Sequence, residues 1–586
     1  MIKSWTVGPL ILAVGLSGLW KLARRSSFRL RQATASILEL WRRLQGADRF
    51  AAAVTLMALA TLSLHIMIGG LAPDCSQDAI WYHLSVPGQW AITGEAGMYT
   101  HVLQSTFTLA IEAVYAGLLL YFDEIMCSSL YAMTLVIALW LWVLISYLAV
   151  GVRPALLVAA LIPFLLATNI AIAPIFAGND VFVLVCLMLT LCALIKPLET
   201  GAAPTFGEST LIGTLLGFAT VCKIVALVFW PPLLCAYFCY LMLLKGKWRD
   251  GSLALLGVSL SILVMFAPWL VRAFAYCGNP LIIISQSIFP LHEEYLPVLR
   301  GYDLEPRFYS LNIEGLKQAM AHGIPIKLNL LQSEKNCLYL LAPLAAAICL
   351  FFRQAKWRIQ SLGILCCFAS LIILRGRNEL LRYFALFFGL AVMLMARMCQ
   401  LLEQKLKQGV ITVLLLLFLT ASSATYFSRQ ILWGNYSTIN WPYRPVLTAE
   451  DRLEWAGKTE NGWLYLGCQA IQPFLPQDAT VLLADIHGSY YLKRKAVWGG
   501  YSSGSPQLDW WREFTTEEIL HDLVKRKIDH VLYANKASID PRIQTLAEEG
   551  KLLPIELDNA PGSCLEQWRL WRVNPASTPP LQQSAK

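Results

Sequence analysis

The chain has 586 residues, of which 57% are hydrophobic and only 15% are charged. Soluble domains average about 25% charged residues, and the apolar residues here come in continuous blocks of roughly 17 to 25, long enough to cross a bilayer core of about 30 Å. These blocks exclude an ordinary soluble protein, and they exclude a β-barrel because barrel strands alternate apolar and polar residues. The net charge of +9 is therefore attributed to cytoplasmic loops and lipid headgroups, not to nucleic-acid binding.

The N-terminal part of the chain sets the predicted orientation of everything that follows. A short apolar segment at residues 4–20 precedes a linker, residues 21–49, in which Lys and Arg far outnumber acidic residues. Basic loops stay on the cytoplasmic side of a membrane, so residues 1–49 are interpreted as a hydrophobic segment with a basic cytoplasmic linker. The next apolar run, residues 50–72, then crosses outward and places the first loop, residues 73–127, on the extracytoplasmic face.

Residues 50–428 form the predicted transmembrane domain. Residues 106–122 could span the membrane, but a span there would place the later basic loops outside, so we expect a helix that lies in the membrane interface. With the N-terminal segment, the sequence predicts a polytopic α-helical membrane protein of about 11 to 12 spans. The runs after the first loop lie at 128–149, 154–174, 179–196, 208–223, 225–244, 252–272, 336–352, 359–374, 380–398 and 409–428.

Beyond the last apolar run, residues 429–575 are polar and mixed in charge, and they alternate short strands with helices, which is typical of a small α/β domain. The predicted orientation makes this domain extracytoplasmic. Cys468 and Cys564 could form a disulfide there or remain free thiols, and residues 576–586 are interpreted as a disordered tail. The predicted strands are 463–466, 481–485, 530–533, 552–557 and 568–573, and the predicted helices are 515–527, with a Thr515–Glu518 capping box, and 540–549, with Pro541 in its first turn.

The stretch of residues 71–101 places polar and titratable groups next to a membrane span, where such groups are costly unless they serve a site. Asp74 and Asp78 are four residues apart and would share one face of a helix. Either carboxylate could act as a general base or ligate a divalent cation. His83 could hold a phosphate oxygen or donate a proton, or it could be an ordinary interfacial side chain. Three rings could stack on a sugar, although we expect them in the interfacial aromatic belt: Trp81, Tyr82 and Trp90.

A second group of charges falls on the same predicted side of the membrane. Asp180 follows a Gly-Asn turn just before an apolar run. Lys223 lies at the end of another run, where it could bind an anion or extend its charge to the interface. Arginines on the outer side break the usual bias of basic residues toward the cytoplasm, and they indicate a bound phosphate or pyrophosphate. These arginines are Arg272, Arg375, Arg377 and Arg382.

Four stretches together resemble the bacterial GT-C glycosyltransferases of the protein-O-mannosyltransferase and aminoarabinose-transferase type. The first is Asp78-x-x-x-Tyr82-His83-Leu84-x-x-Pro87-x-x-Trp90, which follows the first outward span. The others are GFATVCK at 217–223, PWLVRAFAYCGNP at 268–280 and RYFALF at 382–387. The resemblance covers residues 50–430. The chain departs from the pattern in its extra N-terminal segment and in having Cys75 and Ser76 where an acidic pair would bind metal.

This resemblance implies an inverting transferase that takes a sugar from a polyprenyl-phosphate carrier at the extracytoplasmic face of a bacterial inner membrane. Asp78 would be the catalytic base, and Asp180 would be the acidic residue of the second loop. Asp74, Tyr82 and His83 would support the substrate. The lipid phosphate would be held by cations drawn from Lys223, Arg272, Arg375 and Arg382.

Two other classes of function remain open on the residues alone. A transporter or flippase of lipid-linked glycans would also use charges in its membrane domain, and a non-catalytic subunit of envelope assembly would bind the same lipids. The implied partners are a polyprenyl-phosphate sugar, membrane lipids, and an acceptor that is a lipid, a glycan or a protein. No cofactor is implied beyond a divalent cation at the carboxylates.

Overall fold

The structure is a computed structural model. Asp78, Arg375 and Arg382 lie outside the residues that it describes, as do the predicted spans between 336 and 428, the span at 154–174 and the N-terminal segment. The described residues are 42, 46–75, 79–99, 105, 108–146, 177–223, 226–280, 289–290, 292, 400, 446–459, 462–485, 490–498, 511, 514–557 and 566–574.

The N-terminal half of the described chain is helical. Two of its helices, Glu124–Leu144 with 21 residues and Trp248–Cys277 with 30, are long and apolar enough to cross a membrane. Except for α2 (Ser85–Thr93), which lies in the first loop, the helices overlap the predicted apolar runs, because these runs offer no alternation that a strand could use. They are α1 (Gly46–Gly69), α2 (Ser85–Thr93), α3 (Ala110–Leu119), α4 (Glu124–Leu144), α5 (Asp180–Thr200), α6 (Phe206–Cys222), α7 (Ala226–Cys239) and α8 (Trp248–Cys277).

Helix α3 lies within the ambiguous run at 106–122. It has ten residues, so it is about 15 Å long at 1.5 Å per residue, half the thickness of a bilayer core. A helix of that length cannot cross the hydrocarbon by itself. Its length therefore agrees with the expectation of a helix lying along the interface.

Helices α6 and α8 approach each other closely through small residues. Thr205 and Glu208 begin α6 with a capping box, in which the Thr205 hydroxyl accepts from the Glu208 N–H. Gly213 and Gly217 then follow one turn apart, and a Cβ at Gly217 would lie 2.9 Å from the Met265 Cβ. Small residues at this spacing allow two membrane helices to pack backbone against backbone. This packing fixes the end of α6, from which the chain continues into Lys223.

The C-terminal part is an α/β unit with a five-stranded sheet of order β2-β1-β3-β5-β4. Strands β1, β2 and β3 are parallel, whereas β5 runs antiparallel to β3 and β4. The order of elements is α9 (Ala449–Gly457), α10 (Gly462–Ile471), β1 (Thr480–Leu483), β2 (Lys495–Trp498), α11 (Thr516–Lys525), β3 (His530–Tyr533), α12 (Pro541–Glu548), β4 (Leu552–Ile555) and β5 (Arg569–Val573).

Most of the predicted elements of this unit are confirmed, including the Thr515–Glu518 capping box of α11 and Pro541 at the start of α12. The strand predicted at 463–466 is wrong, because these residues belong to helix α10. Leu464, Cys468 and Ile471 are all buried, which is the spacing of a helix and not of a strand. Four apolar residues are too few to distinguish the period of a helix from that of a strand. Cys468 is a free buried thiol, and Cys564 lies outside the described residues.

One hydrophobic core connects the two parts of the molecule. A single cluster of buried side chains runs from Ile66 of α1 and Leu84 of the first loop to Tyr491 and Trp568 of the α/β unit. A second cluster covers the other face of the sheet and includes Ile519 of α11. The sheet is therefore packed between α11 and α12 on one face and α10 with the first loop on the other.

Candidate active site

An ion pair between Asp180 and Lys223 lies where three helices end. Asp180 is the first residue of α5, and Lys223 follows α6 in extended conformation. The Lys223 Nζ lies 2.6 Å from the Asp180 Oδ1, and the side chains are 13% and 18% exposed. A carboxylate is favoured at a helix N-terminus and a cation at a C-terminus, so both ends of the pair gain from their helices. The sequence predicted both residues but not that they are partners.

A buried polar network lies directly behind this ion pair. The Asn179 Nδ2 donates to the Cys222 carbonyl at 3.0 Å and to the Glu112 Oε1 at 3.2 Å. The same Glu112 oxygen lies 2.5 Å from the His83 Nδ1. Because Asn179 precedes Asp180 and Cys222 precedes Lys223, the network fixes the backbone on both sides of the ion pair.

Glu112 is the residue that reasoning from the sequence missed. It lies on α3, and its side chain has no exposed surface. It is the one charged residue in the apolar run at 106–122, and that isolation was the available signal, since a lone charge in an apolar run is costly unless it has a role.

Two oxygens of this network accept no hydrogen bond from the described residues. They are Glu112 Oε2 and Asn179 Oδ1, both buried. The Asn179 amide nitrogen faces two acceptors, so a flipped amide would place oxygen against oxygen. A buried acceptor without a donor costs free energy, so the two oxygens can accept hydrogen bonds from a hydroxyl, an ammonium or a water.

Asp74 joins the first loop to the second. Its carboxylate accepts from the backbone N–H of Ala177, and its carbonyl accepts from the Tyr491 hydroxyl at 2.5 Å. The residue is 3% exposed. Asp74 therefore lies close to the predicted site and holds backbone there.

Arg272 of α8 holds the first loop through its guanidinium. The Nε donates to the Ala96 carbonyl at 2.9 Å, and an η nitrogen donates to the carbonyls of Gly97 and Ser105 at 2.9 and 3.1 Å. The guanidinium also lies over the Trp90 ring, 4.9 Å from its centroid. These bonds use donors that the sequence assigned to a lipid phosphate.

The aromatic residues divide between the core and the site. Trp90 is 4% exposed, and its Nε1 donates to the Gly97 carbonyl at 2.8 Å. The expectation of a belt position is therefore wrong for Trp90, because the Arg272 guanidinium and the loop enclose its ring. The Tyr82 ring contacts the His83 ring at a tilt of 36°, with centroids 3.9 Å apart, so it lies beside the buried network.

Cys75 follows Asp74 and, with Ser76, stands where the GT-C pattern has a metal-binding acidic pair. Burial raises the pKa of its thiol to about 12, and the nearby Asp74 carboxylate acts in the same direction. The thiol of the metal-free chain is therefore neutral near pH 7. Among the described residues, no group of three or more His, Cys, Asp or Glu side chains could hold a metal ion.

Comparison with known proteins gives a result at the level of structure. The chain resembles the crystal structure of ArnT from Cupriavidus metallidurans bound to undecaprenyl phosphate, with a TM-score of 0.50, 10% sequence identity, and coverage of 90% of this chain and 99% of that one. The chain has the fold of the GT-C membrane glycosyltransferases. The apo structure of the same ArnT aligns at a TM-score of 0.48 and 13% identity, over 90% of this chain and 100% of that one. No protein-family model matches the sequence, and no curated protein matches it.

In the GT-C fold, the described helices are parts of a polytopic helical membrane protein. Since the alignment extends over 90% of the chain, it takes in the membrane helices together with much of the α/β unit. The recognition of the GT-C pattern in the sequence is thus confirmed at the level of the fold.

Proposed function

We propose that this protein transfers a sugar from a polyprenyl-phosphate carrier to an acceptor at the extracytoplasmic face of a bacterial inner membrane. The observation that carries the proposal is the Asp180–Lys223 ion pair with the His83–Glu112–Asn179 network behind it, placed at helix ends in a GT-C fold. The printed ligand of the ArnT structure, undecaprenyl phosphate, supports a lipid phosphate as one substrate. The acceptor is a lipid, a glycan or a protein.

The proposed reaction is a single displacement at the anomeric carbon. Asp78 takes the proton of the acceptor hydroxyl or amine, the acceptor atom bonds to the anomeric carbon, and the bond from that carbon to the phosphate oxygen breaks. The lipid phosphate leaves with the electron pair of that bond, and the configuration inverts. Asp78 precedes Ala79, where the described chain resumes in a π-helical turn, Ala79–His83.

Negative charge builds on the departing phosphate, and fixed cations stabilise it. We propose Lys223 for this role, with Asp180 orienting its ammonium at 2.6 Å. Arg375 and Arg382 are the further candidates for the phosphate. Arg272 acts here by holding the first loop, since its donors bond to the carbonyls of Ala96, Gly97 and Ser105.

Asp78→Asn tests the proposal directly. The variant keeps the shape of the side chain and removes the base, so we expect transfer from a radiolabelled polyprenyl-phosphate sugar in membranes to fall by at least about 100-fold. Asp478→Asn makes the same change at an exposed turn of the α/β unit and should keep wild-type turnover. Wild-type transfer by a folded Asp78→Asn protein would refute the assignment.

The same preparation distinguishes the other classes of function. Flux of a lipid-linked glycan across proteoliposomes without covalent transfer would favour a transporter. Binding of lipid phosphate without turnover on lipid, glycan or peptide acceptors would favour a non-catalytic assembly subunit. Either result would replace the proposal of a transferase.

A further inference from the structure

Two side chains of the α/β unit donate hydrogen bonds to the start of the first loop. The Tyr491 hydroxyl donates to the Asp74 carbonyl at 2.5 Å, and the Trp455 Nε1 donates to the Pro73 carbonyl at 3.2 Å. These partners lie 417 and 382 residues apart in the sequence. Tyr491 is 1% exposed, so its bond is shielded from water, where a hydrogen bond is electrostatically stronger.

Further contacts fix the same unit against helix α2. The Gln89 side chain donates to the Arg494 carbonyl at 2.8 Å and accepts from the Ala496 N–H at 3.0 Å. It thus bonds to strand β2 at the edge of the sheet much as a neighbouring strand would. Gly88 allows the Tyr490 ring to approach so closely that a Cβ would lie 2.8 Å from it. Helix α2 and the chain around β2 are therefore in direct contact through both hydrogen bonds and close packing.

From Asp74 the connection continues to the Asp180–Lys223 pair. The Asp74 carboxylate accepts from the Ala177 N–H, three residues before Asp180. The Tyr115 hydroxyl donates to the next carbonyl, Gly178, at 2.8 Å. One end of the second loop is thereby held between Asp74 and Tyr115, and Asp180 follows it directly.

We propose that Tyr491 is a positioning residue for the Asp180–Lys223 pair and that it acts through Asp74. Its hydroxyl fixes the Asp74 backbone, the Asp74 carboxylate fixes Ala177, and Ala177 sets where Asp180 presents its carboxylate to Lys223. The α/β unit is then part of the catalytic apparatus through Tyr491. This inference rests on the proposed sugar transfer, since it concerns the same site.

Tyr491→Phe removes the hydroxyl and keeps the ring. Small displacements of catalytic groups cost large factors in rate, so we expect kcat for the radiolabelled polyprenyl-phosphate sugar to fall about 10-fold or more, with KM for that donor within about twofold of wild type. Tyr533→Phe is the matched control, because Tyr533 is a buried tyrosine of β3 whose hydroxyl accepts from the Asp540 N–H inside the α/β unit. The control should keep the wild-type kcat.

A double-mutant cycle tests the route through Asp74. If Tyr491 acts through that residue, then Asp74→Ala and Tyr491→Phe disturb one connection, and their effects on kcat should be clearly less than additive. Additive effects would overturn the route. An unchanged kcat in Tyr491→Phe would overturn the positioning role itself.

A readout without turnover separates this inference from the proposed function. The Cys75 thiol is 8% exposed, and a hydrogen bond joins it to Thr459 of the α/β unit. We expect Tyr491→Phe, but not Tyr533→Phe, to increase labelling of Cys75 by N-ethylmaleimide, measured by peptide mass spectrometry on the full-length protein in detergent. If wild type transfers no sugar, the proposed function fails while this labelling still tests the connection. Unchanged Cys75 labelling in Tyr491→Phe would overturn the proposed connection between Tyr491 and Asp74.

Trp455→Phe covers the case in which Tyr491→Phe does not fold. It removes the donor to the Pro73 carbonyl and replaces the indole with a smaller ring at a partly exposed position, and its folding is checked by size-exclusion chromatography. We expect a smaller fall in kcat with the same unchanged KM. A Trp455→Phe protein with wild-type kcat and wild-type Cys75 labelling would overturn the inference.

Discussion

At the scale of single residues, the candidate site is a set of charges that fix one another. Asp180 pairs with Lys223, and Glu112 pairs with His83 behind them. Side chains held in this way lose little entropy when a substrate arrives, which is how a site is prepared for a transition state. Glu112 matters most here, because it joins His83 of the first loop to Asn179 of the second.

Glu112→Gln should reduce transfer while leaving the fold intact. The amide oxygen can still accept from His83 and Asn179, but the charge-assisted bond is lost, a difference of about 1 to 2 kcal/mol or roughly 10-fold in kcat. Steady-state kinetics and thermal unfolding of the same preparation measure both effects. Glu95→Gln, an exposed glutamate of the same loop, is the control and should match wild type. A Glu112→Gln enzyme with wild-type kcat would show that the buried charge has no part in the reaction.

At the scale of elements, the packing of helices determines where the site residues lie. Helix α6 is capped at Thr205 and ends at Cys222, so its length and its contact with α8 decide where Lys223 lies. Glycine is the only residue that allows this contact, because a Cβ at Gly213 would collide with the Val258 carbonyl. The close approach thus links a structural glycine to the position of a functional lysine.

Gly213→Ala should destabilise the protein although alanine favours a helix. The added methyl group forces α6 and α8 apart, and overpacking of this kind costs about 1 to 3 kcal/mol. Gly207→Ala makes the same substitution on the same helix, where nothing lies within 4 Å of the new Cβ, and it should be neutral or stabilising by up to about 1 kcal/mol. Thermal unfolding in detergent compares the two variants. Equal stability of the variants would contradict the packing interpretation.

At the scale of the whole molecule, the membrane helices and the α/β unit share one hydrophobic core. A unit that shares its core with the rest of the chain is expected to unfold with it. His530 of strand β3 lies in this sheet, 3% exposed, with Arg572 opposite it on β5. Its titration should therefore be visible in the stability of the whole chain.

The predicted pH dependence follows from the sign of the His530 shift. Burial lowers the pKa of His530 below its ordinary value of 6.5, and Arg572 acts in the same direction while Asp529 opposes it. The unfolded chain therefore binds a proton more readily, and stability is lost as the pH falls through 6.5 toward the folded pKa. His530→Phe should make the midpoint of thermal unfolding less sensitive to pH between 7.5 and 5.5. An unchanged pH dependence would mean that other groups dominate it.

The sequence by itself determined the membrane character of the chain, the positions of the long apolar helices among the described residues, and the existence of the C-terminal α/β unit. Each of these follows from local properties, namely the length of apolar runs, their periodicity and capping residues such as Thr515. It also identified Asp74, Asp180, Lys223 and His83 as residues in one region. A polar residue beside an apolar run is visible without knowledge of its partners.

Only the tertiary structure decided which of these residues meet. The Lys223–Asp180 pair joins residues 43 apart, and the Tyr491–Asp74 bond joins residues 417 apart, and no local pattern encodes such distances. The structure also places Arg272 and the buried ring of Trp90 against the backbone of the first loop, which both support. The physical reason is common to all of them, since a buried donor or charge takes the partner that packing brings within reach, and packing is a property of the whole chain.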